Sequence, residues 1–191
     1  MISAVLLCAG ESRRMGRVKA LLNFGGETLL ARILEQLRLA SFSEVICVTG
    51  AHAGEIENEI AKFPALIQRN PDFKTGLMSS VQAGLRKVSP HATGAVVSLV
   101  DLPYLRAEDF RIAAEIAPER LVRFLYKGTP AHPVYIPRRY FAEILEQPYQ
   151  DQGCGFLFQK YPNDVRWIAA DSPRGLLDID TAEDYSAHLT S

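Results

Sequence analysis

Apolar runs of strand length alternate along this chain with stretches of helical period, and that alternation restricts the fold more than any other feature. Strands are predicted over residues 2–8, 44–49, 66–68, 95–100, 121–126, 133–136 and 165–168. Helices are predicted over 28–39, 54–61, 77–87, 107–116, 139–146, 155–160 and 182–188. Such an order builds βαβ units, so the expected class is α/β, with a mostly parallel sheet covered by helices on both faces. The run Ala95-Val96-Val97-Ser98-Leu99-Val100 is almost unbroken in its apolarity, as a doubly covered strand requires. The stretch 121–136 departs from the scheme. Two short runs flank Lys127-Gly128-Thr129-Pro130-Ala131-His132, which predicts a turn and an antiparallel excursion.

With 191 residues, no linker and no internal repeat, the chain is expected to form one domain, long enough to bury a sizeable core. The 21 Lys and Arg are matched by 22 Asp and Glu, a net charge of −1, which argues against a nucleic-acid or membrane-surface partner. No apolar run reaches the ~20 residues that span a bilayer, and residues 2–9 are too short and too uncharged at their start for a signal peptide. Cys8, Cys47 and Cys154 are odd in number and far apart, with neither disulfide nor metal-ligand spacing. A cytoplasmic protein is expected, with Cys8 and Cys47 acting as small apolar strand residues.

The first predicted strand breaks into Cys8-Ala9-Gly10-Glu11-Ser12-Arg13-Arg14-Met15-Gly16-Arg17-Val18-Lys19. Glycines allow a tight turn whose amides face a ligand, while Arg13, Arg14, Arg17 and Lys19 supply the charge a triphosphate demands. The spacing excludes two other phosphate loops. No Lys-Ser or Lys-Thr follows Gly16, so this is not a P-loop, and Gly-x-Gly-x-x-Gly is absent, so the dinucleotide fingerprint fails.

Ligands of open parallel sheets bind beyond the carboxyl ends of the strands. The basic loop ends the first strand and Asp101, in Val100-Asp101-Leu102-Pro103, ends the fourth, so both are expected at one edge. A carboxylate facing phosphates points to magnesium between them, although Asp101 could equally open a turn before Pro103. In Asp178-Ile179-Asp180-Thr181-Ala182-Glu183-Asp184, Asp180 or Thr181 could supply a second metal ligand or a contact to the incoming substrate. Asp180 with Glu183, or Thr181 with Asp184, also fits a helix cap. Ser79 and Ser80 open a helix whose amides could hold a base or phosphate, and a plain cap explains them as well. His132 reads as a turn histidine, since no Ser or Cys nucleophile pattern accompanies it. His52, His91 and His188 read as surface or loop residues, and Asp151 as the start of a turn before a helix.

Taken together, these residues resemble the molybdenum cofactor nucleotidyltransferases, the molybdopterin cytidylyl- and guanylyltransferases, almost from end to end. The family's strand followed by A-A-G-x-S-x-R-M-G-x-x-K-x-L-L is matched from Cys8-Ala9-Gly10 through Lys19 to Leu21-Leu22. Its D-x-P is Asp101-Leu102-Pro103, its asparagine–glycine–double-serine loop is Asn70, Gly76, Ser79 and Ser80, and its G-H-P step is Ala131-His132-Pro133. Its closing D-I-D-T-P-E-D falls on Asp178 through Asp184. Three positions depart from the pattern: Cys8 for alanine, Ala131 for glycine and Ala182 for proline.

The resemblance implies a three-layer α/β/α Rossmann-like nucleotidyltransferase fold and Mg2+-dependent transfer of a nucleotidyl group. It implies a nucleotide site of Leu7, Ala9, Gly10, Ser12, Arg13, Arg14, Gly16 and Lys19, with Gly76, Ser79 and Ser80. Arg14, Lys19 and Asp101 would carry catalysis, Asp101 and Asp180 would hold the metal, and His132 and Asp151 would face the acceptor. Ala9 before Gly10 favours CTP over GTP, because the guanylyl branch tends to carry A-G-G. The implied reaction transfers CMP from CTP to a molybdopterin-type phosphorylated acceptor and releases pyrophosphate. Two alternatives stay open: nucleotidyl transfer to a sugar or alcohol phosphate, and a carrier that hands the cofactor to a molybdenum hydroxylase client without catalysis.

Overall fold

The computed structural model describes residues 1–149 and 152–189. A central sheet of seven strands has the order β5-β4-β1-β6-β8-β7-β9. Here β1 is Ile2–Leu7, β4 Val45–Thr49, β5 Leu66–Arg69, β6 Gly94–Leu99, β7 Leu121–Tyr126, β8 Thr129–Pro137 and β9 Val165–Ala169. Between β1 and β4 lie a two-strand hairpin, β2 Asn23–Phe24 with β3 Glu27–Thr28, and helix α1, Leu29–Leu39. The other helices are α2 Ala53–Ile60, α3 Leu77–Lys87, α4 Ala107–Glu115, α5 Phe141–Glu146, α6 Gly155–Lys160 and α7 Ala182–Leu189. Only β8 runs against its neighbours, pairing antiparallel with β6 and β7, while β9 returns parallel to β7. The sheet is therefore mostly parallel with one antiparallel excursion, as the sequence pattern requires.

Alternation along each strand sends successive side chains to opposite faces. From β1, Ala4 and Leu6 join one buried cluster with Ile33 and Leu37 of α1, Ile60 of α2 and Phe110 of α4. Val5 and Leu7 join the other, with Met78 and Val81 of α3, Ile144 of α5 and Leu157 of α6. Each fully buried Leu, Ile or Phe contributes roughly 1.5–3 kcal/mol relative to exposure. Helices thus cover both faces of the sheet. Among the described residues no helix is long and apolar enough to cross a membrane.

The excursion is longer than expected, and this corrects the reading of His132. The turn is confined to Lys127-Gly128, and β8 already begins at Thr129. Arg123 pairs with Val134 and Phe124 with Ala131, so His132 and Pro133 are two extra residues in a β-bulge. His132 is therefore a strand residue whose side chain the bulge re-aims. Ala131 is buried in the cluster containing Val96 and Tyr135, on the sheet face opposite that of Val134.

Candidate functional site

β1 and β6 are adjacent and parallel, with Leu7 opposite Leu99. The basic loop after β1 and Asp101 after β6 therefore leave the sheet side by side. A third segment joins them where the Ile179 amide donates to the Asp101 carbonyl at 3.0 Å, with Ile179 fully buried. That contact sets Asp180 beside Asp101.

The Lys19 ammonium lies between the two carboxylates, donating to Asp101 Oδ2 at 3.0 Å and to Asp180 Oδ1 at 2.5 Å. Arg14 donates to the other oxygen of Asp180 at 2.7 Å. Burial opposes the charge on Lys19, yet Asp101 and Asp180 outweigh it and hold the ammonium above the ordinary lysine pKa. The hydrogen bond from Lys19 in turn holds Asp180 below the ordinary aspartate range. The competing explanation of this segment is settled by Thr181. Its hydroxyl accepts from the Asp184 amide at 3.1 Å and the Asp184 carboxylate accepts from the Thr181 amide at 2.8 Å. This reciprocal cap starts α7 and leaves the Asp180 side chain to Lys19 and Arg14.

The loop is locked from within. Ser12 sits at φ 53°, in the left-handed region that non-glycine residues rarely adopt, and its hydroxyl accepts from the Lys19 amide at 3.0 Å. Opposite it, the buried Asn70 amide donates to Ser79 Oγ at 2.9 Å and to Ser80 Oγ at 3.0 Å. Gly76, at φ 110° and ψ 170°, then caps α3 in a backbone conformation that requires glycine.

Between these walls lies a cavity of about 440 Å³ lined by Leu7, Ala9, Gly10, Ser12, Arg13, Lys19, Gly76, Ser80 and Asp101. Three expected nucleotide contacts do not line it. Ser79 is buried, and its hydroxyl donates to the Asp72 and Gly76 carbonyls. Arg14 reaches Asp180 instead, and Gly16 supplies the loop's turn at φ 61°. Arg13 lines the cavity but pairs with Glu11 at 2.8 Å, its side chain 76% exposed. Phe73, Lys74 and Leu77 also line the cavity. The sequence marked their loop but not Phe73 and Lys74, because a short 3-10 turn leaves no periodic signal.

A second cavity, of about 560 Å³, shares Leu7, Leu77 and Leu99 with the first and continues along the α3–α6 face. His132, Arg123, Phe158 and Trp167 line it. Burial, then the Arg123 guanidinium, pushes the His132 imidazole down to about 4, so it is neutral at physiological pH. Its Nδ1 is buried without a partner. Gly175 packs on the same segment: a Cβ there would lie 2.0 Å from the His132 carbonyl oxygen. Asp151 lies outside the described residues.

Asp101 Oδ1 is buried without a partner, while Oδ2 meets only one lysine. Among the described residues no three metal-ligating side chains cluster. One or two carboxylates with phosphate oxygens completing the shell is how magnesium is usually held, so Asp101 and Asp180 fit a cation that arrives with a nucleotide.

Comparison with known proteins identifies the family and supports the fold. Residues 4–165 match the family described as MobA-like NTP transferase domain. The chain is 26% identical to the molybdenum cofactor cytidylyltransferase of Escherichia coli (strain K12) over 185 residues, covering 96% of this chain and 93% of that protein. It is 28% identical to the nicotine blue oxidoreductase of Paenarthrobacter nicotinovorans over 192 residues, covering 95% of this chain and 93% of that protein. Among solved structures, Rv0371c of Mycobacterium tuberculosis superposes with a TM-score of 0.89 at 29% identity, covering 100% of this chain and 98% of that one. The same protein has been solved in complex with manganese (TM-score 0.80, 27% identity, coverage 100% and 98%).

Proposed function

The chain belongs to the MobA-like NTP transferase family, and on that premise we propose that it transfers CMP from CTP to a molybdopterin-type phosphorylated acceptor with release of pyrophosphate. The observation that carries this reading is the pair Asp101 and Asp180 at the mouth of the basic loop, with Lys19 between them. Two carboxylates would repel a triphosphate by themselves, whereas a divalent cation held between them and the phosphates offsets that repulsion. A bound Mg2+ would supply that charge, with Asp101 and Asp180 as its protein ligands.

This chain's own residues do the rest. Ala9 and Gly10 bring backbone close to the base, and Arg13 and Lys19 face the phosphates. Lys19 leaves its carboxylate partners for the triphosphate as the nucleotide enters. The acceptor lies in the second cavity, so its terminal phosphate approaches the α-phosphorus from the His132 side. An acceptor oxygen forms the new bond to that phosphorus, the bond to the bridging oxygen of the β-phosphate breaks, and pyrophosphate carries the electron pair away. A phosphate oxygen is already ionised at neutral pH, so no base is needed; positioning and charge neutralisation supply the catalysis. His132, neutral at that pH, serves the acceptor as a hydrogen-bonding group and not as a charge.

Acceptor-dependent pyrophosphate release, measured with CTP, GTP and ATP, tests the reading. CTP with molybdopterin is expected to be the productive pair. Asp101→Asn is expected to lower turnover on the order of 10²–10³-fold, far more than His132→Gln. Equal, modest losses in both variants, or release from GTP alone, overturn it.

A further inference from the structure

Arg123 stands in the middle of β7, opposite Val134 of β8 and Trp167 of β9, deep in the sheet and not at its edge. Its guanidinium lies over the Phe158 ring of α6, 5.0 Å from the centroid, and its Nε is buried without a partner. Other arginines held partly inside the protein are satisfied. Arg120 donates to the Asn163 and Val165 carbonyls, Arg138 to the Ala92 and Ser89 carbonyls, and Arg174 to the carboxylates of Asp109 and Asp171. Among the described residues no carboxylate pairs with Arg123. The Cys154 thiol nearby, pushed up to about 12 by burial, stays neutral and offers no counter-charge. Removing a cation from water without a partner is costly, and the cost is met when a ligand brings the missing acceptor.

The walls of the same cavity limit what that ligand is. Phe158 and Trp167 stand 6.3 Å apart, ring to ring, and Trp167 is 40% exposed at the rim, where a flat ring would cover it. Leu77, Val97 and Val134 complete an apolar lining. We propose that Arg123 selects the acceptor, and that it reads the hydrogen-bond-accepting edge of a flat heteroaromatic ring held against Phe158 and Trp167. Planar, forked donors suit the carbonyl and ring-nitrogen edge of such a ring better than an ammonium would.

The proposal rests on the second cavity being the acceptor's, and its test is separable from that of nucleotidyl transfer. Trp167 is the only tryptophan, so its fluorescence reports this cavity alone. The probe is 6-hydroxymethylpterin, with inorganic phosphate as an anion that has no ring. Saturable quenching is expected in the wild type and not with phosphate. Arg123→Gln is expected to weaken it about tenfold or more, with Arg123→Lys intermediate and CTP affinity unchanged in both. Equal probe affinity in wild type and folded Arg123→Gln overturns the proposal, as does no binding in the wild type or Arg123-dependent displacement of the probe by phosphate. Should Arg123→Gln not fold, wild-type affinity in Arg123→Lys overturns it equally. Arg123-dependent quenching without pyrophosphate release from CTP and molybdopterin would support the Arg123 assignment while removing the transfer reaction.

Discussion

Replacing His132 by glutamine removes a titrating group whose energetic weight follows from its surroundings. Burial, then the Arg123 guanidinium, lowers the imidazole pKa from 6.5 to about 4, against the pull of Asp101 and a hydrogen bond with the Val97 backbone. The folded protein therefore favours neutral His132, and between these two values the unfolded chain binds the extra proton. Stability is then complete above about pH 6.5 and falls as the pH drops towards 4. The whole interval corresponds to about 3 kcal/mol, of which about 2 kcal/mol is lost between pH 7.5 and pH 5. Urea unfolding of wild type and His132→Gln at those two pH values, with a chelator present, measures it. Carboxylates such as Asp180 titrate in both proteins and cancel in the comparison. Wild type is expected to lose about 2 kcal/mol more than the variant on acidification. Parallel losses, within a few tenths of a kcal/mol, would refute the assignment of a buried neutral imidazole.

Gly175→Ala places a methyl 2.0 Å from the His132 carbonyl oxygen, so it is expected to cost about 1–3 kcal/mol in urea unfolding and to raise the acceptor KM without changing CTP affinity. Thr181→Ala removes half of the cap on α7; a loss of about 1 kcal/mol is expected, with faster amide hydrogen exchange at Asp184. Lys19→Met is expected to weaken CTP binding at least about tenfold while strengthening Mn2+ binding to the nucleotide-free protein, both by calorimetry. Weakened Mn2+ binding would count against competition between lysine and metal for the carboxylates.

The layers of the fold were legible because burial on both faces writes itself into composition. The helices Leu77–Lys87 and Gly155–Lys160 and the strand Leu121–Tyr126 match their sequence patterns to the residue. The hairpin of β2 and β3 was not legible, since two-residue strands show no alternation and only Gly25-Gly26 marks the turn. β8 was underestimated for a different reason. Pro130 and Pro133 lack the amide a ladder needs and so read as breaks, yet Pro133 lies in the bulge, where an unpaired residue is tolerated. The same bulge moved His132 from a turn into a cavity wall. Ala131 in place of glycine proves compatible with that wall, because its methyl is buried on the opposite face of the sheet. Arg123 gave no signal at all: a strand arginine reads as an outward-facing residue until helix α6 is packed over it.

Lys19 ties the basic loop to the two carboxylates. Its backbone is fixed by Ser12 and its ammonium by two carboxylates contributed from distant parts of the chain, 82 and 161 positions away. Without a nucleotide, this arrangement keeps Asp101 and Asp180 close together with their repulsion offset, because one cation stands between them. A triphosphate carries more negative charge than the two carboxylates combined and draws the same ammonium towards itself. The carboxylates are then left exposed to each other, which is the condition under which a divalent cation binds best. In the proposed reaction nucleotide and metal would thereby be coupled through one side chain: each would make room for the other, and neither would complete the charge balance alone. On that proposal the basic loop that ends the first strand is one half of an electrostatic exchange, and the other half is written more than 80 residues later, in Asp101 and Asp180.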